Sequence, residues 1–218
     1  MRAISSPEAI NAARKPGLPE VPFAVALAPS DTQGDPGFVT SEIYRDVIAA
    51  ARARADLVVV DTQIIESHDT SGLIEGVVVP LLGSVGGWGV GLFDASTPGL
   101  QNLVRRYRSL DAAGVGPSRL MAAFTRVPPD SRLDIEAITG VVSRYAHFVG
   151  TVHESLAISG AHEMGRFPDD DELDELVDRV LARVTGITAF DPDRDAGRGR
   201  RGDGGRPRRG LFVRRRRR

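Results

Sequence analysis

Unbroken apolar runs alternate along this chain with stretches whose apolar residues recur every three or four positions. Phe23-Ala24-Val25-Ala26-Leu27-Ala28 is the first run, ended by Pro29-Ser30-Asp31. It reads as a buried strand. After a loop over Asp31–Gly37, Thr40-Ser41-Glu42 opens an amphipathic helix. Ile43, Val47, Ile48 and Ala51 share one face of it, and Arg45, Arg52 and Arg54 occupy others. The helix delivers the chain into Asp56-Leu57-Val58-Val59-Val60-Asp61-Thr62, four consecutive apolar residues that end in an acid and a hydroxyl. A run without polar alternation suits a strand covered on both faces, as in a parallel sheet packed between helices. Strand, helix, strand predicts a right-handed βαβ unit.

The same alternation continues. Residues 63–71 read as a polar loop, and Gly72–Leu82 as a helix. The glycine-rich stretch Gly83–Gly91 leads into a strand over 89–94. It lacks a Gly-Lys-[Ser/Thr] ending, so a tight helix-to-strand passage is expected rather than a phosphate loop. Ala95-Ser96-Thr97-Pro98 is a helix start, a hydroxyl cap followed by Pro, for a helix from Gly99 to Ala113 that closes at Gly114. Leu120–Val127 is a strand cut by Pro128-Pro129. Asp134–Tyr145 is a helix, His147–Val152 a strand and Glu163–Pro168 a turn. Asp169–Val184 has acids in its first turn and an apolar face of Leu173, Leu176, Val177, Val180 and Leu181. A short helix over Ala9–Arg14 precedes all of this, capped near Ser5-Ser6-Pro7 and stopped by Lys15-Pro16-Gly17. The pattern predicts an α/β fold, a three-layer sandwich with a mostly parallel sheet. Residues 1–20 form a helix and loop, 21–190 the α/β domain and 191–218 a tail.

Composition narrows the chemistry. Of 218 residues, 41% are hydrophobic, enough for a sizeable core. The absence of cysteine excludes disulfides, thiolate metal sites and cysteine nucleophiles. His68, His147, His153 and His162 lack paired metal-ligand spacing and read as surface or loop residues. No apolar stretch spans a bilayer and no signal-peptide pattern opens the chain, so a soluble, cytoplasmic protein is expected. The net charge of −1 conceals a division. Residues 191–218 hold twelve Arg and four Asp, a net of +8, which leaves −1 − 8 = −9 for the rest. The tail, rich in Arg, Gly, Asp and Pro, is expected to be disordered. Its asymmetry points to an anionic partner.

Two sets of residues carry candidate chemistry. Ligands of open α/β sheets sit beyond the carboxyl ends of the strands, where Asp61 and Thr62 are expected. An acid there can hold the Mg²⁺ that bridges nucleotide phosphates; the bland alternative is a buried strand whose terminal Asp caps the next turn. The second set is Arg206, Arg208, Arg209, Arg214, Arg215, Arg216, Arg217 and Arg218, able to pair with nucleic-acid phosphates and release counterions. Only Phe212 could stack on a base, and Leu211-Phe212-Val213 is too short for a membrane anchor, so membrane ranks below nucleic acid. The alternative is a solvated end.

The order of these pieces resembles the C-terminal two-thirds of the ParA/MinD family of deviant P-loop ATPases, over roughly residues 20–186. The matching pieces are Asp56–Thr62, Ala95-Ser96-Thr97-Pro98, Ala123-Phe124-Thr125-Arg126, and Ser155-Leu156-Ala157-Ile158 followed by Gly165-Arg166-Phe167-Pro168. The resemblance implies a P-loop NTPase-like fold lacking the first strand–P-loop–helix unit. The only lysine, Lys15, is followed by Pro, and nothing like Lys-Gly-Gly-x-Gly-Lys-Thr occurs. The chain is expected to be either a piece of a longer ATPase or a degenerate, non-hydrolysing member. Thr125 stands where the family commonly has an Asn that reads the adenine edge. With Arg126, Asp61 and Thr62 it completes the implied nucleotide-binding set, with Asp61 as the metal ligand. ATP or ADP with Mg²⁺, weakly held, is the implied cofactor, and a homodimer is an implied assembly.

Three functions follow: a ParA/MinD-like protein for partition or positioning of DNA or a large assembly, a non-catalytic scaffold of a secretion- or pilus-type machine, and a nucleic-acid-binding module that works through the tail. ATP hydrolysis would require a phosphate loop from an upstream segment, because the loop's amides and lysine supply most of the positioning and charge neutralisation that phosphoryl transfer needs.

Overall fold

A computed structural model describes residues 4–27, 40–62, 72–94, 96–131 and 134–196. The chain opens with β1 (Ile4–Ser5), α1 (Pro7–Ala13) and β2 (Val25–Ala26). Ser6 caps α1 by accepting from the Ala9 amide at 3.3 Å, and Pro7 supplies a first-turn position that needs no N–H. The Asn11 side chain donates to the Val21 carbonyl at 2.9 Å and accepts from the Val21 amide at 2.8 Å. It thereby folds the Lys15–Glu20 loop back on the helix. Arg14 donates to the Gly165 carbonyl at 2.7 Å, and Phe23 meets Phe167 edge-on at 6.1 Å. The N-terminal segment is thus held to a turn that lies far along the chain.

That segment corrects the first strand expectation. Only Val25–Ala26 forms a strand, and it pairs antiparallel with β1 rather than entering a parallel sheet. Phe23 is 47% and Leu27 80% exposed; Ala28 lies outside the described residues, as do the 31–37 and 63–71 loops and Ala95.

Next come α2 (Ser41–Arg52), a π-helical stretch Ile74–Val78 that runs into α3 (Val79–Gly83), and β3 (Gly89–Asp94). Thr40 caps α2, as its sequence suggests. Between α2 and the π-helix, Leu57–Val60 is not part of any strand, and Leu57 and Val59 stand exposed. The expected βαβ unit is therefore not formed by these residues. A strand needs a partner for its backbone N–H and C=O groups, and apolar side chains alone do not supply one. The Ser84–Gly87 turn, closed by Gly87 N–H to Ser84 C=O at 3.1 Å, makes the tight helix-to-strand passage into β3.

From β3 onward the expected strands and helices form, and a helix not expected from the sequence, over Leu156–Glu163, is added. The order is α4 (Thr97–Ala112), β4 (Leu120–Val127), α5 (Ile135–Val142), β5 (His147–His153), α6 (Leu156–Glu163), α7 (Asp171–Thr185) and α8 (Asp193–Ala196). β3, β4 and β5 form a three-stranded sheet in that order, both pairings parallel. The molecule is α/β. β4 is covered on both faces, which explains its unbroken apolar sequence. Leu120, Ala122 and Phe124 pack with Leu103, Tyr107 and Leu110 of α4 and Val142 of α5. Met121 and Ala123 point the other way, to Leu176 of α7. Phe93, Phe124 and Phe148 stack across the three strands at 4.2 and 5.8 Å between neighbouring rings. Full burial of side chains such as Phe124, Leu120 and Met121 contributes about 1.5–3 kcal/mol each. β3 is covered on one side only, since Val90 and Leu92 stay exposed on the other.

α8 extends the folded part past the boundary expected at Phe190. Asp193 lies 3.5 Å from Arg179, and Arg194 donates to Thr188 Oγ1 at 2.9 Å. Among the described residues no helix is long and apolar enough to cross a membrane.

Candidate functional site at the carboxyl edge of the sheet

The three parallel strands end together, and each end carries polar side chains. β3 finishes in Asp94, which pairs in register with Thr125 of β4. Asp94 Oδ1 accepts from the Ser96 hydroxyl and from the Ser96 amide, the latter at 3.2 Å. Ser96 is the N-cap of α4: its Oγ accepts from the Gly99 amide at 3.0 Å and its carbonyl from the Leu100 amide at 3.0 Å. A Cβ on Gly99 would fall 2.2 Å from Asp94 Oδ1, so the carboxylate sits against the bare backbone of the helix start. Acid, hydroxyl and helix terminus make one hydrogen-bonded unit.

The end of β4 is irregular. Phe124 pairs with Thr151 of β5, but the next pair is Val127 with His153, so Thr125 and Arg126 together oppose one residue. Arg126 adopts a positive φ of 53°, the only non-glycine among the described residues to do so. Bulges that re-aim side chains and strained backbones both concentrate at functional edges. Here they turn Arg126 outward, exposed, while Thr125 is half-buried beside Asp94.

At the end of β5, His153 Nδ1 lies 2.9 Å from Glu172 Oε1, and the His153 amide donates to Glu172 Oε2 at 2.8 Å. Glu172 belongs to the first turn of α7, where a carboxylate also suits the helix dipole. With Nδ1 held by the carboxylate, Nε2 is the ring nitrogen left to face the edge.

The sequence candidates separate here. Thr125 and Arg126 lie at this edge, as expected. Asp61 and Thr62 do not join it in a strand; both are exposed, at the end of the unpaired 57–60 stretch. The expectation that Asp61 ends a central strand is therefore overturned, and Asp94 is the acid that ends a sheet strand. The signal was present, since Gly91-Leu92-Phe93-Asp94 is an acid-ended strand too; the longer β-branched run before Asp61 outweighed it. Ser96 was visible as a cap but not as a partner of Asp94. Arg206, Arg208, Arg209 and Arg214 to Arg218 lie outside the described residues.

The implied Mg²⁺ ligand, Asp61, stands outside the sheet. Among the described residues no group of three or more His, Asp and Glu could hold a metal ion. Mg²⁺ dehydrates reluctantly and is held by one or two carboxylates together with substrate phosphates. Asp61, exposed, gives one such carboxylate. The start of α4 is likewise poor as a phosphate cradle, because Ser96 already takes the Gly99 and Leu100 amides and Pro98 has none. What remains is Thr125 and Arg126, a hydroxyl and a guanidinium able to hold one anionic or polar group. Comparison with family models, with curated proteins and with solved structures found no match.

Proposed function

We propose that this chain is a ParA/MinD-like protein, a three-layer α/β sandwich of the P-loop NTPase-like kind without the strand–P-loop–helix unit. It acts in partition or positioning of DNA or a large assembly by gripping a polyanion, not by turning over ATP. The reading rests on one observation above others: Asp94 and Thr125 stand side by side at the carboxyl edge of a parallel sheet, against the start of α4, with Arg126 bulged outward next to them. This is where α/β sheets hold ligands. Two of the pieces that carry the family resemblance, Ser96-Thr97-Pro98 and Thr125-Arg126, lie at this edge. Nucleotide, if held, is held weakly through Thr125 and Arg126. Assembly as a homodimer and a cytoplasmic setting belong to the same reading. Twelve arginines beyond Phe190 supply the grip on nucleic acid.

The position of Asp61 favours a second form of the reading, a non-catalytic scaffold, because the acid that would share Mg²⁺ stands outside the sheet. Two measurements test both forms. Fluorescence anisotropy with a labelled DNA duplex should show binding that weakens steeply with salt and varies little with sequence. ATP turnover should not exceed background. Mg²⁺-dependent hydrolysis that disappears in Asp61→Ala would overturn the non-catalytic reading, and a flat anisotropy signal at low salt would remove the grip on nucleic acid.

A further inference from the structure

Opposite the candidate site, the amino edge of the sheet carries a cluster of cations around one aromatic ring. Trp88 immediately precedes β3, Arg119 immediately precedes β4, His147 opens β5, and Arg183 lies near the end of α7. The Arg119 guanidinium stands 5.6 Å from the Trp88 ring centroid and that of Arg183 5.8 Å. Arg119 also donates to the Gly87 carbonyl at 3.4 Å, and Arg183 to His147 Nε2. Partial burial, and after it the Arg183 charge, lower the pKa of His147, so the imidazole meets Arg183 as a neutral acceptor.

The charge balance of this cluster is unusual for a body carrying −9. Neither Arg119 nor Arg183 has a carboxylate at ion-pair distance among the described residues. Arg179, on the same helix, is different: Glu175 at 2.8 Å and Asp193 at 3.5 Å take up its charge. A guanidinium stacked on an aromatic face keeps its edge N–H donors directed outward, in the fork that suits phosphate oxygens. Arg183, His147 and Arg179 line an open groove of about 670 Å³ together with Thr139, Ser143 and Asp191. The Asp191 and Asp193 carboxylates in the same groove disfavour a small anion seated deep inside it. An extended polyanion at the groove mouth can reach Arg183 and, across the Trp88 ring, Arg119.

The second observation is where the tail begins. α8 ends at Ala196, and its Asp193 is tied to Arg179 in this groove. In sequence, eleven of the tail's twelve arginines follow Ala196.

We propose that Arg119 and Arg183, braced on Trp88, are phosphate contacts for nucleic acid at the amino edge of the sheet. The inference rests on the polyanion-binding reading above. Trp88 is the only tryptophan, so the unmodified chain reports on its own site. Two signals are recorded as a DNA duplex of random sequence is added: anisotropy of the labelled duplex and Trp88 emission. The expected result is that both change together and both reverse with added salt. In Arg119→Gln/Arg183→Gln the slope of log affinity against log salt should fall by about two, one for each lost phosphate contact. Arg119→Lys/Arg183→Lys should retain most of it. Rising anisotropy with unchanged Trp88 emission, or a salt slope unchanged in the Gln variant, would assign the contact to the tail alone and overturn the proposal while leaving the polyanion reading intact. Flat anisotropy would remove both.

Discussion

The Tyr107 hydroxyl joins two strands from a helix: it accepts from the Gly91 amide of β3 at 3.0 Å and donates to the Met121 carbonyl of β4. A Cβ at Gly91 would lie 2.2 Å from that oxygen, so the glycine is what lets the ring approach. α4 is thereby locked to the sheet at the strand pair whose carboxyl ends carry Asp94 and Thr125.

Tyr107→Phe should leave the Gly91 N–H and the Met121 C=O without this partner, and a buried unpaired group costs about 1–3 kcal/mol. Gly91→Ala should destabilise through overpacking by a similar amount, about 1–3 kcal/mol. Because both changes act on one contact, their costs in the double variant should fall short of the sum. Urea denaturation of the four proteins checks this; full additivity would show that the two residues do not share the contact.

Burial raises the Tyr107 pKa, against a smaller lowering by the Gly91 amide. A raised folded-state value means that the folded protein binds more protons than the unfolded chain above the ordinary tyrosine value of about 10. The contribution to stability is complete below that pH and is lost as pH rises from there toward the folded value. Alkaline unfolding monitored by circular dichroism should therefore begin later in Tyr107→Phe, relative to its own neutral-pH stability, than in the wild type.

Much of this architecture was legible in the sequence, and the reasons differ by element. β4 reads as a doubly covered strand because Leu120–Phe124 carries no polar residue, and both of its faces are in fact buried. α4 and α7 announce themselves through Ser96-Thr97-Pro98 and the acids around Asp170, and both caps form. The 57–60 stretch has an equally apolar sequence but has no ladder partner among the described residues. Hydrophobic pattern reports what a segment would gain by burial; it does not report whether neighbouring strands are there to pair with it. The Arg126 bulge left no trace in composition, because a positive φ at a position without glycine arises from the register mismatch between β4 and β5.

The start of α7 concentrates like charge. The Asp174 pKa is raised, first by burial and then by Asp178, Asp169, Asp171 and Asp170. A carboxyl whose folded value lies above its unfolded value destabilises the fold once both states are ionised, and this penalty disappears as pH falls below the unfolded value. Asp174→Asn should thus raise the urea midpoint at neutral pH and lose that advantage in acid. An equal gain at both pH values would point to propensity or packing instead.

Arg126 offers the sharpest separation of stability from function. A non-glycine residue in the left-handed region costs roughly 1–2 kcal/mol that glycine does not. Arg126→Gly should therefore stabilise the protein by up to about that amount, and the side chain, being exposed, takes little packing with it. The same substitution removes a cation at the carboxyl edge next to Thr125 and Asp94. If that edge holds an anionic group, titration with a fluorescent adenine nucleotide should show weak binding in the wild type that is lost in the glycine variant, while Arg126→Lys keeps part of it. Higher thermal stability together with lost binding would mean that the bulge is kept for its side chain. A glycine variant that is less stable would show instead that the Arg126 side chain holds the bulge in place. Unchanged nucleotide binding would move the ligand site away from this edge.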